Sequence, residues 1–123
     1  MILRNQLKKS LGIPVYVKCD GVVAIYWGAT ILAHYWKLEK LFGKPVEADE
    51  YKVSCAWEFK DENSGECYCI CDNKATNLYD PSLPSVEEFR AATHTWEFDI
   101  FGPDERKALR FKGWLIQQLK TIK

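Results

Sequence analysis

Between Tyr51 and Asp72 the chain reads YKVSCAWEFKDENSGECYCICD, and this stretch alternates. Val53, Cys55, Trp57 and Phe59 recur at every second position, as do Cys67, Cys69 and Cys71. Successive side chains of a strand point to opposite faces, so each set lines one face. The segment between them, Asp61-Glu62-Asn63-Ser64-Gly65, is polar and contains glycine, which predicts a hairpin loop. With Lys60 opposite Glu66, Phe59 faces Cys67, Trp57 faces Cys69 and Cys55 faces Cys71. That register predicts the aromatics and four cysteines together on one side of the hairpin.

The rest of the chain supplies elements to set against it. Val15 to Cys19, then Asp20-Gly21, then Val22 to Trp27 predict a first hairpin. Asp-Gly supplies the positive φ angles of a two-residue type I′ turn, and both arms are rich in β-branched and aromatic residues. From Gly28 to Phe42 the period changes. Ile31, His34, Tyr35, Leu38, Leu41 and Phe42 sit three and four apart, which predicts a helix ended by Gly43 and Pro45. Its other side carries Ala29, Leu32, Ala33 and Trp36, so the helix is expected to be sandwiched. Were that side displayed instead, Trp36 and Leu32 are where a partner would dock.

Ser85 with Glu87 and Glu88 predicts a capped short helix over Ser85 to Ala92. Trp96, Phe98 and Ile100 alternate through a fifth strand over Thr93 to Phe101. Gly102-Pro103-Asp104-Glu105 opens a last helix with Pro103 at its first helical position. Its expected buried stripe is Ala108, Phe111, Leu115, Leu119 and Ile122, widened by Leu109 and Ile116. Residues 1–12 offer a further short helix. The order predicts one α+β domain over residues 1–123, an antiparallel sheet of about five strands with two main helices packed on one face.

Hydrophobic residues make up 47% of the 123, enough for one buried core. The net charge is zero, which argues against a pervasively basic nucleic-acid binder. The charge is nevertheless segregated. Residues 1–44 carry 7 basic and 2 acidic side chains, residues 47–105 carry 4 and 15, and residues 106–123 carry 6 and none. The start lacks the apolar core of a signal peptide, and no apolar run approaches a membrane span. With five cysteines, the expectation is a cytoplasmic protein with reduced thiols and no membrane partner, a monomer or small homo-oligomer.

Chemistry-bearing residues are sparse. Cys67, Cys69 and Cys71 with Cys55 invite a zinc reading, but Cys67 and Cys71 lie about 13 Å apart along a strand at roughly 3.3 Å per residue. Buried thiols are the simpler account. His34 and His94 have no local nucleophile signature. Glu58, Glu97 and Asp99 are candidates for paired carboxylates on neighbouring strands, although acids also line the wet face of any amphipathic strand. No phosphate loop, nucleophile elbow or dinucleotide fingerprint occurs. No catalytic residue, cofactor or metal is therefore assigned, and an undetected small enzyme ranks third among the readings.

Two surfaces remain. In the first, Glu47, Asp49, Glu50, Asp61, Glu62 and Glu66 form an acidic patch around the central hairpin that meets a basic partner protein, with Trp36 as a further contact. In the second, Arg106, Lys107, Arg110 and Lys112 join Lys8 and Lys9 in a basic face for nucleic acid.

Tyr26-Trp27-Gly28-Ala29, Lys52-Val53 with Trp57-x-Phe59, Gly65, Ile70-Cys71-Asp72-Asn73-Lys74, and Trp96 with Ile100-Phe101-Gly102 form a scattered pattern over roughly residues 22–120. This pattern resembles that of a group of small proteins encoded by tailed bacteriophages. Cys71 stands where that group usually has tyrosine, and the Trp96 to Gly102 segment is longer than usual. The resemblance carries no activity and no functional residue. It implies an accessory gene of a phage or mobile element, in the company of small non-enzymatic proteins that bind and inhibit or redirect a host or defence factor in the host cytoplasm.

Overall fold

The computed structural model describes residues 6–8, 11–19, 24, 26–45, 56–72 and 80–122. They form a five-stranded antiparallel sheet with helices on one face. The strands are β1 (Tyr16–Lys18), β2 (Tyr26–Ala33), β3 (Ala56–Asp61), β4 (Cys67–Cys71) and β5 (Trp96–Gly102). The helices are α1 (Tyr35–Phe42), α2 (Val86–Ala91) and α3 (Glu105–Leu119). Across the sheet the order is β1-β3-β4-β5-β2, and every neighbouring pair is antiparallel. The expected α+β architecture is therefore present.

The predicted first hairpin is not. Of its two arms, Tyr16–Lys18 forms β1 while Tyr26 and Trp27 open β2, and these strands lie at opposite edges of the sheet, four strand spacings or about 19 Å apart. Asp20-Gly21 itself lies outside the described residues. β1 pairs with β3 and β2 with β5, so non-local partners overrode a strong local turn signal.

The predicted helix over Gly28 to Phe42 also divides. Its first part belongs to β2, where Ala29, Ile31 and Ala33 are buried at every second position. Only Tyr35–Phe42 is helical, and His34 stands at the N-cap. Gly43 ends the helix as expected, at φ 80°, with its N–H donating to the Glu39 carbonyl at 2.8 Å. That positive φ suits glycine alone.

The central hairpin is real, but its register slips by one residue. Lys60 faces Cys67, Phe59 faces Tyr68 and Trp57 faces Ile70. Because side chains alternate, one step exchanges the faces. Tyr68 and Ile70 go to the core, while Cys67 and Cys69 go to the other side. The cysteines thus do not line the aromatic face.

Trp57, Phe59, Tyr68, Ile70, Phe98 and Ile100 form the sheet's contribution to the core, all fully buried. Leu38 of α1, Phe89 of α2 and Ala108, Phe111 and Leu115 of α3 close over them. Phe111 stacks on Tyr68 with centroids 5.0 Å apart. The buried indole of Trp57 and the half-buried one of Trp96 keep their N–H groups satisfied, on the Gly43 and Phe89 carbonyls respectively, each at 2.9 Å. The hydroxyls of Tyr16 and Tyr68 are buried with no hydrogen bond of good geometry among the described residues, although each lies near the other and near the Arg110 guanidinium. Burial therefore pushes the Tyr68 phenol far above its ordinary value, with the neighbouring Tyr16 adding to the effect.

The helix ends follow their side chains. Ser85 Oγ accepts from the Glu88 N–H at 3.1 Å and caps α2 as predicted. Asp104, not Pro103, opens α3, accepting from the Lys107 N–H at 2.8 Å. α3 reaches the sheet where β2 has a bulge. The register shifts between Trp27 and Ala29, leaving Gly28 as the extra residue. A Cβ on Gly28 would lie 2.4 Å from that of Ala108, so the helix descends onto a bare backbone.

Candidate functional site

Five of the nine exposed large apolar side chains among the described residues lie on β2 and α3, the others being Leu7, Leu11, Ile13 and Trp36. β2 is an edge strand of eight residues with no charged side chain, YWGATILA. Trp27 and Leu32 project from it onto the sheet face away from the helices, 58% and 68% exposed. Tyr26, at the strand's start, is 60% exposed. Across a groove, α3 presents Leu109 and Ile116, 50% and 36% exposed. These two residues were expected to widen the buried stripe. They fall instead on the helix side next to β2, seven residues apart and so nearly in line.

The groove between the β2 edge and α3 has a volume of about 630 Å³. Ile31, Leu32, Ile116, Leu119 and Ile122 form its apolar walls. Lys37, Lys112 and Lys120 stand around it, with Glu97 the acid among its lining residues. Trp27 is pinned rather than loose, since its indole N–H donates to Asp99 Oδ1 at 3.0 Å. The flank is thus a shaped apolar surface with a largely basic rim.

The acidic patch is dispersed where it is described. Asp61 is buried, not a surface group. Its Oδ1 accepts from the N–H groups of Val15 at 3.2 Å and Asn63 at 2.8 Å, and its Oδ2 accepts from Ser64 Oγ at 3.2 Å. Asp61 therefore organises the hairpin loop and ties it to the start of β1. Glu66 pairs with Lys107 of α3 at 2.6 Å. Glu62 is exposed at the loop. Glu47, Asp49 and Glu50 lie outside the described residues. Trp36 is partly exposed on α1, with Lys37 Nζ 5.5 Å from its ring centroid. It lines a second groove, between α1 and α2, together with Tyr35, Glu39, Glu87 and Arg90.

The basic helix residues likewise diverge. Lys107 is engaged by Glu66, Lys112 faces the β2 groove, and Arg106 and Arg110 share a third direction. The carboxylates do not pair either. β4 separates Glu58 on β3 from Glu97 and Asp99 on β5, a gap of two strand spacings, about 10 Å. His34 is half-buried at the start of α1, and His94 is exposed beside Trp96. Cys67 and Cys69 are half-buried on the sheet's outer face and Cys71 is buried, while Cys55 lies outside the described residues. Among the described residues no group of three metal-ligating side chains converges, and no helix is long and apolar enough to cross a membrane.

Fold and flank together define an α+β domain with an open sheet edge bordered by a helix. The chain matches no protein-family model and no curated protein.

The sequence contained one signal for this flank. Leu32 stood out as an apolar residue on the wrong side of its element, although the element was taken for a helix. Leu109 and Ile116 gave none, because a stripe that wide reads as core.

Proposed function

We propose that the chain is a non-enzymatic binding domain that acts by docking onto another protein. The observation that carries this reading is the apolar flank, in which Leu32 of an edge strand and Ile116 of α3 border one groove, with Trp27 exposed on the same strand and Leu109 on the same helix. Aromatic and aliphatic anchors gathered on one surface are the usual core of a protein interface. The resemblance to phage accessory proteins gives the context, a host or defence factor held or redirected by a small partner. The contact surface in this reading is the β2–α3 flank, not the acidic loops, because Asp61 and Glu66 are already engaged within the domain.

Site-specific photo-crosslinking in bacterial cells tests the reading. A photoreactive residue at Leu32, Leu109 or Ile116 is expected to capture the same protein. The same group at Lys60, exposed on another part of the sheet, is expected to capture none. Adducts confined to position 62 would return the contact to the acidic loop.

A further inference from the structure

We infer that the groove between β2 and α3 receives an extended peptide strand carrying carboxylates, which adds to the sheet at the β2 edge. This inference rests on the binding-domain reading and specifies its partner.

The backbone is the first argument. β2 pairs with β5 on one side only, and no strand among the described residues pairs with its other side. Native sheets protect such edges with charge, proline, bulges or brevity. β1, the opposite edge, is protected in this way, being three residues long and ending in Lys18. β2 has its bulge at Gly28, but from Ala29 to Ala33 it is regular and uncharged. An edge left open over five residues is a template for main-chain pairing.

The dimensions agree. Ala29 to Ala33 spans about 13 Å of strand at roughly 3.3 Å per residue. Lys112 to Lys120, the opposing stretch of α3, spans about 12 Å of helix at 1.5 Å per residue. The two walls therefore match in length an added strand of about five residues. Its side chains would alternate, one set meeting Ile116, Leu119 and Ile122, the other lying beside Leu32 and Thr30 on the outer face.

Charge selects the occupant. Three lysines and one glutamate line the groove, so an entering segment with aliphatic residues at alternate positions and at least two carboxylates finds both apolar and ionic complements. A second copy of the chain answers this worse. β2 brings no acid of its own, and a two-fold pairing would gather six lysines against two copies of Glu97.

Selection from a displayed library of random ten-residue peptides on the immobilised chain tests the inference. The expected result is enrichment of alternating aliphatic sequences rich in Asp and Glu. An enriched peptide, synthesised with a fluorescent label, should bind K112E/K120E roughly tenfold or more weakly, with the remaining affinity less sensitive to salt. Both positions lie at the surface, so the variant is expected to keep the parent's unfolding midpoint. Hydrogen exchange should show new protection confined to alternate amides of Ala29–Ala33 in the complex. Enrichment of basic or uncharged peptides, or protection elsewhere, overturns the proposal. So does a free protein that sediments as a dimer and dissociates when Leu32→Arg is introduced, since the edge is then filled by a second copy. Failure of the selection while photo-crosslinking at Leu32 still captures a protein overturns this mode and leaves the binding-domain reading standing. Failure of both removes the two together.

Discussion

Gly28→Ala tests how α3 is seated on the sheet. The new methyl would lie 2.4 Å from Ala108 Cβ, 3.2 Å from Glu105 Cα and 3.4 Å from the Asp104 carbonyl oxygen. Carbon atoms in good contact sit about 3.5–4.0 Å apart, so the first turn of α3 must lift by about 1 Å. Backbone atoms block two of the three directions, and a side-chain rotation cannot relieve them. Overpacking of this kind costs about 1–3 kcal/mol. The lost freedom of the unfolded chain returns at most about 1 kcal/mol. The expected net effect is a destabilisation of about 1–2 kcal/mol, read from urea unfolding followed by tryptophan fluorescence. Ala108→Gly alone should also destabilise, because glycine inside a helix costs about 1 kcal/mol. Combined, the two changes should couple. With Ala108 Cβ gone the tightest clash disappears, and the double variant should be more stable than the sum of the singles by about 1 kcal/mol. A Gly28→Ala protein as stable as the parent, or strictly additive changes, would refute the idea that bare backbone at the bulge is what admits the helix.

Three further outcomes are expected. Asp61→Ala should lower stability by about 2–4 kcal/mol in urea unfolding, since three donors lose a carboxylate acceptor, and Asp61→Asn should lose less. Tyr68→Phe should be neutral or stabilising by about 1 kcal/mol at pH 7, because the hydroxyl it removes is buried without a hydrogen bond of good geometry. The folded protein holds the Tyr68 proton more tightly than the unfolded chain, whose phenols titrate near pH 10. Stability should therefore be intact below pH 10 and fall as pH rises beyond it, and the fall should be shallower in Tyr68→Phe than in the parent, measured as urea midpoints from pH 8 to 11. Finally, Leu109→Gln and Ile116→Gln should each leave stability within about 0.5 kcal/mol, whereas Leu115→Ala, one residue from the second, should cost about 2–5 kcal/mol.

The sequence was most legible where one face is wet and one dry. β5 and the buried stripe of α3 follow from Phe98 and Ile100, and from Ala108, Phe111 and Leu115, which alternate or recur in only one way. The failures share a cause. Ile31, His34, Tyr35 and Leu38 satisfy a helical spacing, while Ala29, Ile31 and Ala33 satisfy a strand, and only pairing with Phe98 and Ile100 decides between them. Alternation fixed the presence of the β3–β4 hairpin but not its register. Tyr68 and Ile70 compete with Cys67 and Cys69 for the core, and the larger side chains won. The Asp-Gly signal stood between two strands that each found a better partner far along the chain. The acidic patch rested on Asp61 being a surface loop residue, and no pattern in the sequence announces that a loop carboxylate will turn inward to hold Val15. The apolar flank depends on which residues remain uncovered after packing, a property of the assembled sheet rather than of any segment.

The separation of β1 and β2 to opposite edges has a consequence for how the chain is made. Both strands leave the ribosome before their partners, and neither is the other's partner. β1 must wait for β3, and Ile31 of β2 must wait for Phe98 of β5. At synthesis rates of about 5–20 residues per second, β2 stays unpaired for on the order of 3–15 s. During that interval an uncharged strand bearing Trp27, Ile31 and Leu32 is open along both edges. The later strands β3, β4 and β5 form a continuous meander that can assemble without it. The nascent domain is thus vulnerable at β2, and the strand paired on one side in the finished domain is the one that was fully open for longest.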